Sequence, residues 1–286
     1  MLPVERRAQD VADRAEAEHI GQRTRRAGGS DLLVGGPDRA RRWGGLASRR
    51  PTNVARSAGH GACVAGTATG IVLLMMEILP GTYHWTSIHP KLHIEVASYW
   101  LDGPGVAIDP LVPADVGLEW FARRPVAPIA VLLSNRHHYR HSGEFAERFG
   151  CGVHVNRAGL REFTHGEALE PFDPGDVLPG GVVACEVGAI CPDETALYLP
   201  AQRAMVFADG LVSGAPHGSR DLGFVPDQLM DDPQRTEQGL LAAFARLLDT
   251  YEFEHLLLAH GGPVLGDGRR GLEDLIAKGG RTAVSF

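Results

Sequence analysis

Residues 131–145 read Val131-Leu132-Leu133-Ser134-Asn135-Arg136-His137-His138-Tyr139-Arg140-His141-Ser142-Gly143-Glu144-Phe145, and the architecture follows from this stretch. With Pro128, Ile129 and Ala130 it opens on a short apolar run, too short for a buried helix and ending at a polar loop. It predicts a buried strand. A polar loop follows with His137, His138 and His141 inside five positions, and Ser142 to Phe149 reads as a short helix with Ser142 as its N-cap. Histidines three apart converge on one metal ion when the backbone turns between them. A lone histidine in a loop is ordinarily a surface or capping residue; three in one loop at a strand end mark a site.

Outward from that loop the chain alternates strands and helices. Leu92 to Leu101 reads as a strand, Asp102-Gly103-Pro104-Gly105 as a turn, and Gly105 to Asp109 as the returning strand. A helix is predicted near Asp115 to Arg123, and short strands at 181–186, 194–199 and 203–208. Asp232 to Thr250 carries Leu240, Leu241, Phe244, Leu247 and Leu248 at helical spacing. Glu254 to Ala259 reads as a last buried strand and Leu272 to Lys278 as a closing helix. The class is α/β, with polar residues collected at strand ends.

The first sixty residues differ in kind. They hold 12 Arg, no Lys and 7 acidic residues, a net of +5, so the remaining chain carries −12 of the total −7. Residues 1–74 are expected to be a disordered Arg-, Gly- and Ala-rich leader, because few large apolar side chains are present to offset ordering entropy. Patterned sequence starts at Met75 and Met76, so translation is expected to begin there, with 75–286 as the folded domain. The apolar run Ala62 to Met76 is diluted by Gly and Thr and is too short to span a bilayer comfortably. The acidic body argues against nucleic acid as a partner. Four cysteines without a C-x-x-C pair argue against a disulfide framework and for a reducing, cytoplasmic compartment. Neither lysine, Lys91 or Lys278, sits in a phosphate-binding P-loop.

Taken together, these stretches resemble the metallo-β-lactamase fold superfamily, in particular its glyoxalase II-like metallo-hydrolases. The strand and loop at 131–145 are similar to that family's apolar strand followed by H-x-H-x-D-H. Cys191 to Pro200, Met205 to Gly210 and Leu256 to Pro263 resemble, in the family's order, the strand after its middle histidine, the strand ending in its bridging aspartate and the strand ending in its last histidine. Ile108-Asp109 matches its early strand and aspartate. The resemblance covers about 76–286 and implies an αββα sandwich.

The family holds two divalent ions, and this chain departs from its ligand pattern. Arg136 stands at the first histidine position, Arg140 at the aspartate position and Ile190 at the middle histidine position, while His138, His141, Asp209 and His260 are kept. A guanidinium offers no lone pair and repels nearby cations, so a full dinuclear site is not expected. The resemblance then implies one zinc or other divalent transition metal on His141, Asp209 and His260, with His138 assisting. His137 or His138 would act as base on an ester-, thioester- or amide-type small molecule, and Arg136 and Arg140 would orient an anionic substrate. Loss of metal uptake in His141→Ala is the corresponding expectation. The alternative is a metal-free, non-catalytic relative in which Arg136 or Arg140 pairs with Asp209 and the two arginines bind a small anion.

Lesser candidates are Cys191 as a soft ligand and Glu186 at a strand end; each is more simply a buried small hydrophobe or a solvent-facing residue. His84, His89 and His93 read as structural, and His217 as a surface loop residue. Gly266-Asp267-Gly268-Arg269-Arg270-Gly271 fits G-x-G-x-x-G but lies too near the C-terminus for a nucleotide-binding unit, and reads as a loop before a helix. The zincin H-E-x-x-H and the serine hydrolase G-x-S-x-G are absent.

Overall fold

The protein is described by a computed structural model over residues 75–214 and 221–280. The leader expected over 1–74 and His217 lie outside the described residues. Seven strands form the first sheet in chain order: β1 (Met76–Leu79), β2 (Thr82–Ile88), β3 (Glu95–Leu101), β4 (Val106–Ile108), β5 (Ala130–Leu132), β6 (Gly152–Asn156) and β7 (Glu170–Phe172). The first four pair antiparallel; β4 onward is parallel. Between β4 and β5 runs α1 (Glu119–Ala122), and between β5 and β6 runs α2 (Ser142–Phe149).

The second sheet holds β8 (Val177–Leu178), β9 (Val182–Glu186), β10 (Thr195–Leu199) and β11 (Ala204–Phe207), with β14 (His255–Leu258) parallel to β11 at its edge. A small hairpin, β12 (Val212–Ser213) and β13 (Leu222–Gly223), precedes α3 (Pro233–Thr250), and α4 (Gly268–Ala277) closes the described chain.

Side-chain alternation assigns each strand face to a layer. On β5, Ala130 and Leu132 join Val106, Ile108, Tyr99 and Leu101 between the sheets, against Leu197, Leu199, Val206 and Leu257 of the second sheet. Val131 and Leu133 turn the other way, onto Phe121 of α1 and Phe145 of α2. On β11, Ala204 and Val206 face the inter-sheet core, whereas Met205 and Phe207 pack with Leu240, Phe244 and Leu247 of α3. Strands buried on both faces read as unbroken apolar runs, which is why 130–133 and 256–259 show no alternation. The result is four layers, helix–sheet–sheet–helix.

Several local expectations are corrected. Ser142 is the first helical residue and His141 the N-cap, without a side-chain cap hydrogen bond. The helix near Asp115 shrinks to Glu119–Ala122. The glycine-rich run 266–271 is largely inside α4 rather than a loop before it. A Cβ at Gly268 would stand 2.6 Å from the Leu256 amide nitrogen, so the glycine lets α4 sit against β14.

Candidate metal centre

Four strand ends meet on one edge of the sandwich. Asp109 follows β4, Ser134 to Arg140 follow β5, Asp209 follows β11 and His260 follows β14. The sheets are tied together there: the Ala97 amide donates to the Ala259 carbonyl at 2.8 Å, and Tyr99 Oη donates to the Leu258 carbonyl at 2.7 Å.

Asp209 Oδ1 is the centre of the cluster. His138 Nε2 lies 3.2 Å from it and His260 Nε2 2.9 Å. These three ligand atoms all lie within 4.8 Å of one another. Behind His138, its Nδ1 stands 3.0 Å from Asp109 Oδ2 and 3.0 Å from Ser134 Oγ. Asp109 is itself buried, accepting from the Ser134 amide and hydroxyl, and it adopts a left-handed backbone (φ 47°). Asn135 Nδ2 donates to Asp209 Oδ2 at 2.8 Å and to Glu194 Oε2 at 3.1 Å, while the Gly210 amide donates to Glu194 Oε1 at 2.6 Å. Glu194 thereby fixes both Asn135 and the turn after Asp209.

The charges follow from this packing. Burial disfavours a charged His138, yet the Asp109 and Asp209 carboxylates outweigh it and raise its pKa to about 9. Burial likewise opposes ionisation of Asp209, but His138 and His260 hold its carboxyl well below the usual range. Burial and the Asp209 charge push the Glu194 carboxyl up to about 8, against the Asn135 and Gly210 hydrogen bonds that lower it.

Two imidazole nitrogens and a carboxylate oxygen are a ligand set suited to zinc or iron(II). The residues around them fit a resident ion: a ligating histidine donates its other nitrogen to a carboxylate, as His138 does to Asp109, and a ligating carboxylate is hydrogen-bonded in turn, as Asp209 is by Asn135.

No family model and no curated protein matches this sequence. Solved structures do. A metallo-β-lactamase family protein from Thermus thermophilus aligns with TM-score 0.53 and 19% identity over 71% of this chain and 80% of its own. A metallo-β-lactamase from Pontibacter korlensis aligns with TM-score 0.52 and 16% identity over 71% and 97%. A metal-soaked flavodiiron core, Flv1 from Synechocystis sp. PCC6803, aligns with TM-score 0.54 and 12% identity over 72% and 60%. The chain has the metallo-β-lactamase fold.

Within this metallo-β-lactamase fold the structure gathers His138, Asp209 and His260, and leaves His141 outside the three. His141 Nδ1 accepts the Val112 amide at 3.0 Å and its Nε2 lies 3.9 Å from Glu144 Oε1. A backbone donor fixes the ring at the start of α2, away from Asp209. Arg136 is engaged within the fold: its guanidinium pairs with buried Asp193, whose Oδ2 also accepts the Arg136 amide at 2.7 Å. Arg136 and Asp193 thus pin the loop, and neither arginine bonds Asp209. Arg140, also left-handed (φ 42°), sends Nη1 to the carbonyls of Ala97 and Asp109, each at 2.7 Å. His137 is solvent-accessible, its amide donating to Asn135 Oδ1 at 3.0 Å.

Ile190 packs against the α3 side of the second sheet. Cys191 Sγ sits 3.9 Å from Glu194 Oε2 and takes no part in the cluster, and Glu186 is exposed. Asp109 was legible only as a landmark, and Asn135, Ser134 and Glu194 were missed as site residues. A short polar residue directly after a buried strand is the signal that marks Ser134 and Asn135. Among the described residues no helix is long and apolar enough to cross a membrane.

Proposed function

We propose that the protein is a metal-dependent hydrolase with a single divalent ion, zinc or another transition metal, held by His138, Asp209 and His260. The observation that carries this reading is the shared approach of both Nε2 atoms to Asp209 Oδ1, with Asp109 behind His138. When bound, such an ion supplies a Lewis acid and a water acidic enough to attack near neutral pH. The substrate is a small molecule with an ester, thioester or amide bond, and the compartment is cytoplasmic.

The chain's own residues divide the remaining work. Asp109 and Ser134 fix the His138 ring, so its Nε2 faces Asp209. Asn135 holds the second Asp209 oxygen and thereby fixes which oxygen is offered. His138 is engaged at both nitrogens and is a ligand rather than a base. His137 is the base: it is exposed at the site's rim, and partial desolvation by the surrounding loop, with Arg136 and against the Asp209 charge, draws its pKa below the ordinary imidazole value, so it is neutral and able to accept a proton at pH 7.

The test is hydrolysis of ester, thioester and amide panels by the full chain, zinc-loaded and chelated, beside His260→Ala. Activity present with zinc, lost on chelation and lost in His260→Ala supports the reading. Activity that survives both changes overturns it, and a folded chain that takes up no ion returns the metal-free alternative.

A further inference from the structure

Arg140 stands in this site with part of its hydrogen-bonding capacity unused. Its Nη1 is spent on two backbone carbonyls, which fix the guanidinium plane. Its Nε and Nη2 are buried and donate to no atom among the described residues. An unsatisfied buried donor on a cation is costly, and native structures keep few of them.

The edge left over is specific. Nε–H and the adjacent Nη2–H point the same way and form the fork that meets two oxygens of one oxyanion. This chain uses the same edge elsewhere: Arg124 Nε and Nη2 hold the two oxygens of Asp102 at 2.6 and 2.8 Å. Arg140 presents that fork without a carboxylate in it. It does so beside the metal ligands, since its Nη1 bonds the carbonyl of Asp109, whose side chain supports His138. Arg140 as a whole residue is half-buried, while Nε and Nη2 themselves are covered.

We propose that the Nε/Nη2 edge of Arg140 binds a carboxylate or phosphate group of the substrate in bidentate fashion, placing the scissile bond of an anionic small molecule over His138, Asp209 and His260. That the anion belongs to a substrate rests on the hydrolase reading; the anion site itself does not. Arg136, committed to Asp193, does not share this role. The molecule sought is then one whose hydrolysable bond lies within a few bonds of a permanent negative charge.

The experiment titrates the full chain, stripped of metal by chelation and dialysis, with acetate and separately with inorganic phosphate, in calorimetry. Wild type is expected to bind one of them saturably at one per chain, and Arg140→Lys, which keeps the charge and loses the fork, at least about tenfold more weakly. Preference for acetate assigns a carboxylate substrate and preference for phosphate a phosphoryl one. Equal binding by Arg140→Lys, or saturation by neither anion in wild type, overturns the proposal. Should the variant fail to fold, the assigned Arg140 Nε–H resonance of wild type is followed instead; it must shift with the anion, and a resonance that does not move rejects the site. Metal content plays no part in these readouts, so failure here is distinct from failure of the hydrolase reading.

Discussion

His138 Nδ1 lies 3.0 Å from Asp109 Oδ2, with Asp109 wholly enclosed by the end of β4 and the Ser134 amide. The carboxylate fixes the tautomer and the ring orientation, and it makes Nε2 a better donor of its lone pair. Asp109→Asn keeps the shape and removes the charge. Zinc affinity, measured by competition with a fluorescent chelator, is expected to fall about 10–100-fold. Unchanged affinity would show that Asp109 serves the fold alone.

Metal uptake should depend steeply on pH. With its pKa raised to about 9 in the metal-free chain, His138 must lose a proton before it can ligate. Zinc affinity is therefore expected to climb about tenfold per pH unit from about pH 6.5 to about 9 and to level off above it. Stability of the chelated protein runs the other way. A histidine raised above its unfolded value stabilises fully below about pH 6.5, and that contribution is lost as pH rises through about 9. Thermal melts with and without zinc across this window should diverge; parallel curves would place His138 outside the metal centre.

His141→Ala should leave zinc stoichiometry unchanged and affinity within a few-fold of wild type. The residue accepts the Val112 amide and stands outside the His138–Asp209–His260 group. Loss of uptake in this variant would restore it to the ligand set that the motif alone implies.

Arg136→Ala removes one partner of a buried pair and strands Asp193, whose side chain has no exposure. Denaturant unfolding should show a loss of about 3–5 kcal/mol. Anion binding by the folded fraction should be unaffected. A stable variant with impaired anion binding would reverse the roles assigned to Arg136 and Arg140.

The sandwich was legible because its strands carry apolar runs buried on both faces: Ala130 to Leu133, Ala204 to Phe207 and Leu256 to Ala259 each bear that mark. Edge elements such as β1, β7 and β8 were not, since Glu77, Glu170, Pro171 and exposed Val177 give neither a continuous run nor a clean alternation. At the site, His138, Asp209 and His260 were found through the resemblance of their strands and loops to the family's ligand pattern. The orientation of His141 and the pairing of Arg136 depend on the Val112 amide and on Asp193, groups distant in sequence, and no local pattern announces them. Arg140 was identified as a cation near the site; which of its nitrogens stay free is a fact of tertiary packing.

One ion on three named ligands is the premise on which the hydrolase reading stands, and elemental analysis of the full chain after equilibration with zinc is its sharpest check. About one zinc per chain is expected in wild type and none in Asp209→Asn, with the variant folded by circular dichroism. Two ions per chain, or an ion retained by folded Asp209→Asn, would be incompatible with that ligand set.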